Sequence, residues 1–162
     1  MPSQPYRSVA EFTAYKILES QMLCGSGKLF SAIKEMKALS VLDVYSTQLR
    51  EEVLCSLPQK LKGIDVGYCE SITKDGLTKF IWQQPNLVYV GLAGLKDVIC
   101  QEVLDTLSIC NLKYLDRSES HVLGSLSTFF RDQSSLSELS LQGRGLALRN
   151  LNHFEFPLCD HT

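Results

Sequence analysis

An α/β solenoid, with short parallel strands lining the inside of a curve and helices on its outside, is the fold that this sequence predicts. Three observations point to it. A six-residue pattern, L-x-x-L-x-L with aliphatic substitutions, occurs five times. Successive copies begin 22, 26, 25 and 24 residues apart, and helix-like apolar spacing fills the gaps between them. Steps of about 20–29 residues with this pattern are the signature of leucine-rich repeats, in which each repeat is one strand-and-helix coil stacked on the next.

The copies read LSVLDV from Leu39, LKGIDV from Leu61, LVYVGL from Leu87, LKYLDR from Leu112 and LSELSL from Leu136. In each, the first aliphatic enters the core. The next two stand two apart and point to one face of a short strand, because side chains alternate along a strand. The other elements follow in chain order. Residues Ser8 to Leu23 read as an amphipathic helix with Val9, Phe12, Ile17 and Leu18 as apolar points, ended by Cys24-Gly25-Ser26-Gly27. Short helical spacing runs from Ser31 to Met36. Gln48 to Leu57 carries Leu49, Val53, Leu54 and Leu57. Asp75 to Trp82 carries Leu77, Phe80 and Ile81, and ends before Pro85, since the residue preceding a proline avoids the helical region. Ile99 to Leu107 carries Val103, Leu104 and Leu107, and His121 to Arg131 carries Val122, Leu126, Phe129 and Phe130. The chain thus divides into an N-terminal helical cap and first helix (1–38), about five strand–helix repeats forming a horseshoe (39–141), and a C-terminal cap or tail (142–162). A doubly wound sheet also joins parallel strands through helices, but its units need about 30 residues or more, longer than these even steps.

Composition narrows the function. The chain has 162 residues, 44% of them hydrophobic, which suits one packed domain or one short repeat array. Sixteen basic residues against eighteen acidic give a formal charge of -2 with no like-charge block, so neither nucleic acid nor a membrane is expected as a partner. No stretch approaches about 18 apolar residues, and the start, MPSQPYRSVAEF, does not read as a signal peptide. The six cysteines fall at irregular spacings without C-x-x-C. They read as reduced, packed thiols, with Cys69 buried at a turn, and imply a cytoplasmic or nuclear, intracellular setting.

Few constellations carry chemistry. Gly25-Ser26-Gly27-Lys28 hints at a phosphate loop, but Met22 and Leu29 occupy positions where that motif needs glycine and a hydroxyl. Cys159-Asp160-His161 lies together on a terminal segment, whereas a nucleophile and its base need a rigid frame. No metal, cofactor or catalytic residue is expected. Trp82 reads as packing between adjacent coils rather than as a binding anchor.

The inner face of the strands is the candidate site. One column holds Asp43, Asp65, Gly91, Asp116 and Ser140; its neighbour holds Val41, Gly63, Tyr89, Tyr114 and Glu138. Tyr89 and Tyr114 occupy the same position of adjacent coils, flanked by Asp65, Asp116, Lys62 and Lys113. Tyrosine offers apolar area with a hydroxyl, which suits protein recognition. A solvated strand face accounts for the tyrosines equally well, and aspartate at this place is common in the repeat type itself.

Residues 61–92, LKGIDVGYCESITKDGLTKFIWQQPNLVYVGL, carry a longer match. The piece LKGIDVGYCESITKDGL is similar to the cysteine-containing repeat of F-box and related ligase receptors, with Cys69 at the turn after the strand, Ile72-Thr73 leading to the helix and Gly76-Leu77 opening it. The continuation FIWQQPNLVYVGL resembles the zyg-eleven or Zer-one family, substrate receptors of Cullin-two RING ubiquitin ligases. The resemblance implies a box for Elongin and Cullin-two, leucine-rich repeats and an armadillo-like domain that reads degrons. The expected box spacing is not evident around Ile17, Leu18 and Cys24. About twenty residues follow the last repeat strand, too few for armadillo repeats of about 40 residues each, so the chain reads as a shortened relative or a fragment.

Three functions remain open at this point. The first is a protein-interaction module, including the substrate-receptor part of such a ligase. The second is a structural repeat segment, or an F-box-type relative without ligase recruitment. A cysteine-dependent enzyme is the weakest of the three, and a non-enzyme is expected.

Overall fold

The computed structural model describes residues 15–17, 33, 36, 38–120, 129–131, 133–142 and 146–149. They build one α/β sheet with strands in strict sequence order. The strands are β1 (Tyr15–Ile17), β2 (Val41–Asp43), β3 (Gly63–Asp65), β4 (Tyr89–Gly91), β5 (Tyr114–Asp116), β6 (Glu138–Gln142) and β7 (Leu146–Arg149). Neighbours pair in parallel from β1 to β6, and β7 pairs antiparallel with β6. Register places equivalent pattern positions side by side: Val41, Gly63, Tyr89, Tyr114 and Glu138 form one row across the sheet, and Asp43, Asp65, Gly91, Asp116 and Ser140 another.

One expectation is corrected at the N-terminal end. Tyr15–Ile17 is a strand, not the middle of a helix over 8–23. It lies 26 residues before β2, so it continues the repeat step. Its pattern positions hold Thr13, Lys16 and Leu18, only one of them aliphatic, and a short apolar alternation cannot be told from helix by period alone. In the C-terminal segment expected as a cap or tail, Leu146–Arg149 forms a strand. The rest of both segments lies outside the described residues.

Helices bridge the strands. Those fully described are α1 (Glu51–Leu54), α2 (Lys74–Trp82) and α3 (Gln101–Leu107). The Thr73 hydroxyl starts α2 by accepting the Gly76 amide at 3.1 Å, an N-cap bond. The helix stops two residues before Pro85 becomes its obstacle, at the Gln83 cap. The α1 helix is shorter than the expected 48–57, since Pro58 follows closely and no side chain caps its start. Residues 33 and 129–131 are helical, within the expected helices 31–36 and 121–131, whose other residues lie largely outside those described.

The core runs along the side of the sheet that meets the helices. Leu39, Leu61, Leu87, Leu112 and Leu136 fill the first pattern position, and Leu42, Ile64, Val90, Leu115 and Leu139 the fourth. Val44, Val66 and Leu92 fill the sixth, and the helices contribute Leu54, Leu77, Phe80, Ile81, Val103, Leu104, Leu107 and Phe129. A buried aliphatic of this kind stabilises by about 1.5–3 kcal/mol. At the sixth position of β5 the series breaks. Arg117 stands there half-buried; its Nε and Nη1 are buried without a hydrogen-bond partner, and burial lowers its pKa.

Polar side chains stitch coil to coil. Gln84 is 1% exposed; its Oε1 accepts the Leu61 amide (3.2 Å) and its Nε2 donates to the Pro58 carbonyl (2.8 Å). Gln133 repeats the motif, accepting from the Leu112 amide (3.1 Å) and donating to the Cys110 carbonyl (2.9 Å). Each glutamine precedes the opening leucine of its own repeat by three residues. The Cys69 thiol donates to the Val44 carbonyl at 3.1 Å, and the Ser120 hydroxyl makes the equivalent bond to Leu92 at 2.9 Å. Cys69 is fully buried, as expected. Among the described residues Cys55, Cys69, Cys100 and Cys110 are free thiols; Cys24 and Cys159 lie outside them.

Candidate functional site

The face of the sheet turned away from the helices is built by the first and third residues of each strand. Tyr89 and Tyr114 stack there, with ring centroids 4.7 Å apart and planes 10° from parallel. That spacing is the strand separation of about 4.8 Å carried out to the rings. The pair is not an open surface: Tyr89 is 3% exposed and Tyr114 6%. The expectation of exposed tyrosines at the centre of a contact face is thereby corrected. On a row of adjacent strands each large side chain shields its neighbours.

Asp65 belongs to the same buried group. Its Oδ2 accepts the Tyr89 hydroxyl (3.2 Å) and its Oδ1 accepts the Gly67 amide (2.9 Å). Burial pushes its pKa up to about 7; the Gly67 amide opposes this, the Asp43 and Asp116 carboxylates add to it, and the Tyr89 hydroxyl opposes it. Tyr89 in turn is raised well above its usual value by burial and by the Asp65 charge. Gly91 makes room for this arrangement, since a Cβ there would stand 2.4 Å from the Asp65 carboxyl carbon.

The aspartates also shape the backbone. Asp43 Oδ1 accepts the Tyr45 amide, and Asp116 Oδ1 the Ser118 amide, as Asp65 does with Gly67. Each is an Asx turn that ends its strand. The residue three past each aspartate, and Gly94 at the equivalent place after Gly91, adopts positive φ: Ser46 (56°), Tyr68 (55°), Gly94 (68°) and Glu119 (56°). Only at Gly94 is that conformation free of strain.

Lys62 and Lys113 are exposed, each one residue before its strand. They therefore sit about 10 Å along the strand from Asp65 and Asp116, at about 3.3 Å per residue. Of the six predicted site residues, the structure joins Tyr89, Tyr114 and Asp65 in one buried cluster. Asp116 is half-buried beside it, and the lysines stand apart at the opposite end of the strands.

Two further features emerge from the geometry. Trp82 is 62% exposed, which corrects its expected packing between coils. The inward stripe of α2 is already filled by Leu77, Phe80 and Ile81, and a residue one step past Ile81 is rotated about 100° away from it. Tyr45, Tyr68 and Glu119 line the C-terminal edge of the sheet and escaped sequence reading. Tyr45 stands one residue past its sixth pattern position, and Tyr68 and Glu119 each two past theirs.

No family model matches the chain, and no curated protein does. Among solved structures, one of a TLR13–ssRNA13 complex is similar, at 21% sequence identity and a TM-score of 0.49. The similarity covers 68% of this chain and 16% of that one, so this chain spans about a sixth of that structure's length. These comparisons give no sequence evidence for the zyg-eleven family. Among the described residues, no helix is long and apolar enough to cross a membrane.

Proposed function

We propose that this chain is a leucine-rich-repeat solenoid that binds a protein partner and is not an enzyme. One observation carries the reading: register aligns equivalent residues of successive coils, so the second pattern positions, Ser40, Lys62, Val88, Lys113 and Ser137, form one row of exposed and half-buried side chains across separate coils, suited to a macromolecular partner. The contact residues proposed are Lys62, Lys113 and Asp116, with Tyr89, Tyr114 and Asp65 as the rigid floor that holds the strands in place. The thiols support a non-catalytic reading, because burial raises the pKa of Cys55, Cys69 and Cys110, the reverse of an activated nucleophile. The finer assignment, the substrate-receptor part of a Cullin-two RING ligase, is supported by the match at residues 61–92.

The test is affinity capture from native extract with the wild-type chain and with a Lys62→Glu, Lys113→Glu, Asp116→Lys variant of matched melting temperature. The reading expects partners retained by wild type and lost by the variant. Equal capture by both moves the contact elsewhere. Elongin and Cullin-two are probed in the same eluates: stoichiometric recovery supports the ligase assignment, and their absence beside other partners leaves a binding module without ligase recruitment.

A further inference from the structure

The C-terminal edge of the sheet carries an aromatic and acidic strip that the predicted site did not include. The Tyr45 ring lies across Gly67 of the next coil, where an added Cβ would come within 2.8 Å of it. It meets the Tyr68 ring with centroids 5.2 Å apart and planes tilted by 59°. Tyr68 lies across Gly94 of the following coil in the same way, with a would-be Cβ 2.5 Å from its ring. Its hydroxyl donates to the Glu119 carboxylate one coil further on. A single row therefore runs Tyr45, Tyr68, Glu119 over four coils, about 14 Å at about 4.8 Å per strand. The two glycines seat the rings, so the row is built rather than incidental.

The row is open and its charge has one sign. Tyr45 is 46% exposed, Tyr68 is half-buried and Glu119 is exposed. The carboxylates of Asp65, Asp116 and Glu119 all act on the Tyr45 phenol in the same direction. Ring faces are themselves electron-rich and attract cations.

We propose that this edge binds a basic, extended segment of a protein partner, with a lysine or arginine lying over Tyr45 and Tyr68 and its charge toward Glu119 and Asp116. The inference rests on the binding-module reading and names the chemistry of what is bound. An ammonium or guanidinium is the complement of paired ring faces backed by carboxylates, and about four extended residues match the length of the row.

The probe is a displayed library of random twelve-residue peptides selected on the folded full chain. Selected peptides are then measured against Tyr45→Ala, Glu119→Gln and Trp82→Ala variants whose melting temperatures match wild type. Glu119→Gln keeps an acceptor for the Tyr68 hydroxyl and removes only the charge. The proposal expects peptides enriched in Lys or Arg. Their affinity should fall about fivefold or more in Tyr45→Ala and by a similar factor in Glu119→Gln, weaken with added salt, and hold in Trp82→Ala. Peptides without basic enrichment, or indifferent to Tyr45 and Glu119, overturn it. If such peptides lose binding in a Lys62→Glu, Lys113→Glu chain or in Trp82→Ala, the module reading survives and only this edge fails. If no peptide is selected and native extract yields no partner, both fail.

Discussion

Replacing Gln84 with leucine isolates the coil-to-coil stitching from the apolar core. The side chains are similar in length, so no large cavity opens. What is lost is an acceptor for the Leu61 amide at 3.2 Å and a donor to the Pro58 carbonyl at 2.8 Å, both in the preceding coil. Each buried polar group left unpaired costs about 1–3 kcal/mol. Leu61 is fully buried and bears the higher figure; Pro58 is half-buried and bears the lower. The expected loss for Gln84→Leu is about 2–4 kcal/mol, a large share of the roughly 5–15 kcal/mol that holds a typical domain folded. Urea unfolding followed by far-ultraviolet circular dichroism measures it, with the slope checked for constancy. Gln84→Glu is the control: at neutral pH it buries a charge and loses the donor, so it should be worse than leucine and partly recover in acid. A loss under about 0.5 kcal/mol for Gln84→Leu at unchanged slope would refute the stitching.

Other expectations concern the buried cluster and the thiols. Because the Asp65 pKa is raised in the folded chain, the fold binds this proton more tightly than the unfolded chain does. Its contribution is full below about pH 4 and is lost as pH rises toward 7. Asp65→Asn, whose Oδ1 still accepts the Gly67 amide and whose Nδ2 donates to the Tyr89 hydroxyl oxygen, should flatten that fall and raise stability at pH 8; an unchanged profile would show that another group titrates. Tyr89→Ala should cost about 3 kcal/mol or more, as for other buried aromatics, and Tyr89→Phe about 1–3 kcal/mol through the lost bond to Asp65. Thermal melts that leave either variant near wild type would mean the stacked pair is peripheral. Under native conditions Cys69 and Cys110 should alkylate far more slowly than Cys55 and Cys100, because the first two are buried and the other two only half-buried. Peptide mass spectrometry after timed alkylation reads this directly.

The strand positions were legible because five copies of one pattern repeat the same physics: three aliphatics per coil must reach the core, and their spacing fixes where each strand lies. β1 was not legible because Lys16 falls at a position that is aliphatic in β2 to β6, leaving an alternation that helix explains equally well. The stacking of Tyr89 on Tyr114 followed from register alone. Their burial did not, because shielding comes from side chains on neighbouring strands. Trp82 misled for a related reason, since a tryptophan beside Phe80 and Ile81 belongs to the core only if its rotation about the helix axis puts it there. The edge row of Tyr45, Tyr68 and Glu119 depends on a turn conformation repeated across coils and on glycines one coil away, relations that appear only once the coils are stacked.

The most direct test of the central claim, that aligned coils form one protein-binding surface, is hydrogen–deuterium exchange of the chain with and without a captured partner. The account predicts slowed exchange on binding in β3 to β5 and in the turns at residues 45–46, 67–68, 93–94 and 118–119. Protection confined to α2 and α3, or none in the strands and their turns, would contradict it.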